Sequence, residues 1–268
     1  MAKQKSTTKP EIIFFGNGDL ADFAKETLSQ KFEIIFHAKT KADLATACEM
    51  KQSHPKAHAI LASYGVLIKP DVLDLFEPEG IINLHPSLLP KYRGPSPIET
   101  AILNGDEELG ISIIKLTDEM DAGPLYYQES LHFDENMSKQ DIYRVLAQAG
   151  ARWLANNLDN LPPRVRQDDA GLSYTKKLDK SMSELKPAEK SARELKNQIR
   201  AFAGFPKSKY VINGQDCTIH EAHISDTRGP IPELSLECQD GKYLIIDTLQ
   251  PAGKKPMPAA AFKNGYLK

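Results

Sequence analysis

Chemistry in this chain concentrates where a short apolar run breaks into polar residues and prolines: Gly80-Ile81-Ile82-Asn83-Leu84-His85-Pro86-Ser87-Leu88-Leu89-Pro90-Lys91-Tyr92-Arg93-Gly94-Pro95. Ile81, Ile82 and Leu84 read as a buried strand in a sheet covered on both faces. Asn83 and His85 are two positions apart, so a strand turns both to one side. Pro86, lacking an N–H, ends the ladder just after them. An amide there can donate to an oxygen as negative charge builds, and an imidazole can hold or move a proton. A second loop, Asp118-Glu119-Met120-Asp121-Ala122-Gly123-Pro124, adds carboxylates. Asp121 can orient the imidazole or relay a proton from an attacking amine. The set suits addition to a carbonyl carbon. No cysteine, metal-ligand spacing or G-x-S-x-G elbow accompanies it, which sets aside thiol, zinc and serine-hydrolase chemistry. An Asn-x-His pair and a loop aspartate are each common alone. The stiff turn Ser87-Leu88-Leu89-Pro90 and the cation of Arg93 beside flexible Gly94 single these out.

The elements that must carry these groups follow an α/β rhythm. Glu11 to Gly16 reads as a first buried strand, Gly16-Asn17-Gly18 as a turn, and Asp19 as the cap of a helix through Phe23 and Leu28. Gly16, Gly18 and Ala21 nearly spell a dinucleotide fingerprint. The second strand, Phe32 to Lys39, ends without the acidic residue that would hold a ribose, so a tight strand-to-helix turn is the preferred reading. Asp43 to Met50 suits a helix and Ala59 to Ala62 a third strand, with Ser63-Tyr64-Gly65-Val66-Leu67 as a loop at the same sheet edge. Val72 to Phe76 and Ile98 to Leu103 suit short helices. Ile111 to Leu116 alternates as a strand with one wetter face, and Leu125 to Gln128 is another. Ile142, Val145, Leu146, Ala149, Trp153 and Leu154 fall on one helical face.

Composition then changes. Leu161-Pro162-Pro163 and Gln167-Asp168-Asp169-Ala170-Gly171 read as linker. Ser191 and Glu194 have capping-box spacing before a helix through Leu195, Ile199 and Phe202. Short strands follow, with Asn213-Gly214 and Asp240-Gly241 as hairpin signals. This predicts a tail over 1–10, a catalytic domain over 11–160, a linker over 161–178 and a small β-barrel domain over 179–268.

The chain has 268 residues, 41% hydrophobic and 26% charged, with a formal net charge of −2. That fits a soluble globular protein of one or two domains. The charge is uneven: Lys and Arg number 18 against 25 acidic residues through Thr175, and 16 against 11 beyond it. An acidic body with a basic appendage is the expectation. Cys48, Cys217 and Cys238 are scattered, which fits a reducing compartment, and no run is long and apolar enough to span a membrane. Met1 to Pro10 is polar and basic with no apolar stretch, as in a tail and unlike a signal peptide.

Asn83-Leu84-His85-Pro86-Ser87-Leu88-Leu89-Pro90 and Asp121-Ala122-Gly123 together resemble the two active-site signatures of the formyltetrahydrofolate-dependent formyltransferase superfamily. Tyr64-Gly65, Lys91 to Ile98, Asn104-Gly105-Asp106, Ile199-Arg200-Ala201-Phe202 and Leu249 to Met257 are similar to segments of its methionyl-tRNA-formylating branch. The resemblance implies a Rossmann-like catalytic domain with a mostly parallel sheet, then a C-terminal OB-like barrel. It implies 10-formyltetrahydrofolate as donor and the α-amino group of methionine on initiator tRNA as acceptor. Asn83, His85 and Asp121 match the catalytic trio. The folate pocket is expected at Tyr64, Gly65, Val66 and Leu67, at Leu116 and Asp118, and across the cleft at Ser87, Leu88, Leu89 and Pro90. Lys39, Lys41, Arg93, Arg200, Lys254 and Lys255 are the expected tRNA contacts, since phosphate neutralisation carries such binding. No metal site is expected. A cytoplasmic monomer is.

Two departures stand out. The family's F-x-G-T-P-like turn is here Phe15-Gly16-Asn17-Gly18-Asp19, so no contacts carry over there. Its long basic loop after the second strand is reduced to His37-Ala38-Lys39-Thr40-Lys41. A sugar-nucleotide N-formyltransferase shares the trio and needs no such loop, and the basic C-terminal half separates the two readings. Hydrolysis of the folate donor by water, and a nucleic-acid-binding protein with a retired catalytic domain, are the remaining alternatives.

Overall fold

A computed structural model of the chain describes residues 9–267. All of the expected tail except Lys9 and Pro10 lies outside the described residues. The described part divides into two compact units. Residues 9–97 and 108–175 form the first, and residues 98–107 and 176–267 the second.

The first unit is built on a six-stranded sheet. Its strands are β1 (Glu11–Gly16), β2 (Glu33–Ala38), β3 (His58–Ala62), β4 (Ile81–His85), β5 (Glu108–Lys115) and β6 (Leu125–His132), in the order β2-β1-β3-β4-β5-β6. The first four run parallel, whereas β5 lies antiparallel to both β4 and β6. Helices α1 (Asp19–Leu28), α2 (Leu44–Ser53), the short α3 (Pro70–Leu73), α4 (Pro97–Asn104) and α5 (Lys139–Asn157) connect or cover the strands; α4 enters the second unit from Ile98 onward. This is the Rossmann-like, mostly parallel architecture that buried strands separated by helices dictate.

Two local readings are corrected, and one glycine gains a reason. Asp19 is the first residue of α1, whose cap is Gly18 with φ of 84° and no side-chain cap. Gly16 is needed for packing, because a Cβ there would overlap the Ala62 carbonyl oxygen and press on the Ala21 methyl. Strand β5 has no wet face: Leu109 to Ile114 are all buried. Its one polar side chain in that run, Ser112, donates from Oγ to the Ser87 carbonyl and accepts from the Leu89 N–H and the Gln128 amide. A fully bonded hydroxyl is inexpensive to bury.

The second unit holds strands β7 (Ser208–Ile212), β8 (Gln215–Ser225), β9 (Ser235–Glu237), β10 (Tyr243–Pro251) and β11 (Met257–Pro258), with helices α6 (Ala192–Ala201) and α7 (Ala259–Tyr266). The sheet is antiparallel and curls as an OB-like half-barrel, in the order β11-β10-β8-β7 with β9 on β10. The capping box is present: Ser191 Oγ accepts from the Glu194 N–H while the Glu194 carboxylate accepts from the Ser191 N–H. Leu195, Ile199, Ile219, Leu244, Leu249 and Phe262 form its core.

Candidate active site

The carboxyl end of β4 opens into a cleft of about 410 Å³ in the first unit. Ligands collect at this edge of open α/β sheets. Asn83 and His85, 5% and 4% exposed, stand on its floor. Asp121 reaches them from the loop after β5. Its Oδ1 lies 3.4 Å from Asn83 Nδ2 and 3.6 Å from His85 Nδ1. The three side chains singled out in the sequence therefore converge on one point.

The surrounding backbone settles what each can do. His85 Nε2 sits 2.9 Å from the Tyr92 carbonyl oxygen. A carbonyl only accepts, so that nitrogen carries the proton in the neutral ring, and Nδ1 is left with a free lone pair facing the cleft and Asp121. The Asn83 amide turns one hydrogen toward Asp121, and its second is available to an oxygen in the cleft. Asp121 Oδ2 accepts from the Gly94 N–H at 2.8 Å. Its backbone is left-handed, with φ of 51°. Asp tolerates that region better than most residues. Gly123 must be glycine, because a Cβ would fall within the Lys115 carbonyl oxygen. Gly123→Ala is expected to push the loop off β5 and cost about 1–3 kcal/mol, read as a lower urea midpoint. An unchanged midpoint would mean the loop is not seated as described.

Of the residues expected to hold a folate, Tyr64, Gly65, Val66, Leu67, Leu116 and Asp118 line the cleft. Tyr64 does so with its ring, for its hydroxyl donates to the Thr40 carbonyl at 2.6 Å. Burial pushes its phenol up, keeping it a donor. That bond pins the short loop at residues 37–41. Asp43 closes the same loop by accepting from the Lys39 and Thr40 N–H groups, which hold its carboxyl below the usual range.

Ser87, Leu88, Leu89 and Pro90 do not line the cleft. Ser87 is fully buried and donates from Oγ to the Lys91 carbonyl. Leu88 packs over Gly110, and Leu89 is bound to Ser112. They form the platform that bends the chain back toward His85. Arg93 is corrected too. It is 4% exposed, donates from Nε and Nη2 to Gln167 Oε1, and lies 3.7 Å from Glu119, so it is not open to a phosphate. Lys39, Lys41, Lys254 and Lys255 are exposed, whereas Arg200 is half-buried in the last turn of α6, where a cation suits the helix dipole.

Sequence reasoning missed Gln167, 5% exposed inside the presumed linker. That stretch is not loose chain. Val165 pairs with Leu125 through two backbone bonds, and Arg93 exchanges bonds with Ser173 and Thr175. No local pattern marks such contacts, because each partner lies more than 35 residues away in sequence. Among the described residues no group of three or more His, Cys, Asp or Glu side chains is placed to hold a metal ion, and no helix is long and apolar enough to cross a membrane.

Comparison with known proteins adds two family matches. Residues 12–158 match the model described as formyl transferase, and residues 177–267 match the formyl transferase C-terminal domain. A methionyl-tRNA formyltransferase of Cereibacter sphaeroides is 34% identical over 215 residues, covering 78% of this chain and 70% of that one. One from Roseiflexus castenholzii is 33% identical over 246 residues, covering 86% and 77%. Among solved structures, HypX from Aquifex aeolicus in complex with tetrahydrofolic acid aligns with a TM-score of 0.75 at 15% identity. It covers 98% of this chain, which spans about half (48%) of that one. An N-formyltransferase from Helicobacter canadensis, in complex with folinic acid and dTDP-3-aminofucose, gives 0.66 at 18% identity, covering 91% and 100%. Methionyl-tRNA formyltransferase from Clostridium thermocellum gives 0.66 at 15%, covering 91% and 98%.

Proposed function

The chain belongs to the formyl transferase family, and on that premise we propose that it moves a formyl group from 10-formyltetrahydrofolate to the α-amino group of methionine on initiator methionyl-tRNA, for translation initiation. The observation that carries this is the convergence of Asn83, His85 and Asp121 at the floor of one cleft. The curated relatives at 33–34% identity, named as methionyl-tRNA formyltransferases, support the choice of acceptor.

The cleft fits such a donor. Val66, Leu67, Ile68, Leu116 and Met120 give apolar walls for a flat heteroaromatic body, with Asp118 and backbone groups at the edge. The donor supplies the formyl group; the rest is done by the chain. Asn83 Nδ2 donates to the carbonyl oxygen as charge builds there. His85 Nδ1, bare because Nε2 is committed to Tyr92, takes the proton of the attacking amine as the new N–C bond forms, and gives it to the folate nitrogen as the old C–N bond breaks and tetrahydrofolate leaves. Asp121 faces the imidazolium so formed. We assign residues 11–160 to formyl transfer, 161–178 to the connection and 179–268 to tRNA binding. We also place the protein in the cytoplasm as a monomer, where Cys48, Cys217 and Cys238, all free of disulfides, stay reduced.

Lys254 and Lys255 are exposed in the turn after β10, where Gly253 has φ of 72°. Changing both to alanine is expected to weaken methionyl-tRNA binding and lower the slope of log K against log salt by about two. A slope that does not move removes them from the tRNA surface. The reading as a whole is tested by offering labelled 10-formyltetrahydrofolate with methionyl-tRNA and, separately, with amino-sugar nucleotides. Label on the tRNA supports it; label on the sugar alone transfers the assignment to a sugar-nucleotide N-formyltransferase.

A further inference from the structure

We infer that Gln167 is a positioning residue for this active site, one side chain that locks the two catalytic loops into register. The inference rests on the proposed formyl transfer only for its kinetic test. Gln167 lies between the two family matches, in a stretch that neither covers. Its Nε2 donates to the carbonyls of Asp121 and Gly123, both at 2.8 Å. Its Oε1 accepts from Arg93 Nε at 3.1 Å and Nη2 at 2.7 Å. The amide thus uses both donor hydrogens and both acceptor sites.

What it joins matters more than the number of bonds. Arg93 is flanked by Tyr92, whose carbonyl fixes the His85 tautomer, and by Gly94, whose N–H fixes the Asp121 carboxylate. On its other side Gln167 holds the peptides around Asp121, whose left-handed backbone needs external support. A closed circuit results: Asp121 carbonyl, Gln167, Arg93, Gly94 N–H and the Asp121 carboxylate. A half-ångström error in such a constellation is enough to slow chemistry without weakening substrate binding. Gln167 makes no hydrogen bond to the three catalytic side chains and is not among the residues lining the cleft. Its influence runs through the Asp121 and Gly123 carbonyls on one side and the Arg93 guanidinium on the other.

Two substitutions test this in the full-length protein. Gln167→Met keeps the length and removes every hydrogen bond. Gln167→Glu keeps the contact with Arg93 and sets a carboxylate against two carbonyl oxygens. Each is expected to lower kcat by about 10- to 100-fold with KM for both substrates within about threefold. Independently of any activity, ring ¹⁵N shifts of His85 should show Nε2 protonated and Nδ1 bare in the wild type. In both variants they should move toward the averaged values of a free imidazole. If wild-type protein shows the single tautomer but no formyl transfer, the functional reading falls and the positioning role is judged on the shifts alone. Variants with kcat within twofold of wild type and an unmoved tautomer overturn the inference. So does failure of both to fold, which would make Gln167 an ordinary core residue.

Discussion

Asn83→Ala should lower formyl-transfer turnover by about 10²–10³, roughly 2.7–4 kcal/mol of lost transition-state stabilisation, the usual consequence of deleting one oxyanion donor. The residue is buried in β4, and among the described residues its one side-chain bond is the long one to Asp121. Its free hydrogen therefore has no structural duty, and its loss should appear in kcat. The dissociation constant for methionyl-tRNA should stay within about threefold, since the interaction strengthens only as charge develops. Full turnover in this variant would remove Asn83 from the chemistry and with it the proposed mechanism.

Asp121→Asn separates chemistry from architecture. Asparagine is the other residue that readily accepts a left-handed backbone, and its amide oxygen can still accept from the Gly94 N–H. The urea midpoint should therefore hardly change. Turnover should fall by about 10²–10⁴, because a neutral amide cannot stabilise the imidazolium that forms when His85 takes a proton. The comparison is informative because it moves one property and holds the other. A parallel fall in stability and activity would show that Asp121 is mainly a turn residue. A stable and fully active variant would show that the imidazole works unaided.

How much of this was legible beforehand depended on whether a feature was local. The Asn83–His85 pair could be placed on one face because strand periodicity is two and Pro86 ends the ladder at once. The Ser191–Glu194 box and the α/β rhythm were equally local. Asp121 entered as a carboxylate on a second loop and gained weight from a family signature; nothing in its neighbours announces a φ of 51° or a bond to Gly94. Ser112 looked like the wet side of a strand because composition cannot see the Ser87 carbonyl and the Gln128 amide that satisfy it. Arg93 read as a phosphate ligand because tRNA binding needs cations, yet Gln167 bonds it inside the unit and Glu119 faces it from the surface. The errors share one cause. A polar group buried by a distant partner has the same composition as one bathed in water.

Backbone pairing of Leu125 with Val165, and of Arg93 with Ser173 and Thr175, also changes where this enzyme can sensibly be cut. The family matches suggest a seam between residues 158 and 177. A front fragment ended at the near side of that seam would keep the trio of side chains while shedding the peptide that braces them. Any stand-alone formyl-transfer module excised from this chain, or grafted onto another acceptor-binding domain, must therefore carry its own tail through Thr175.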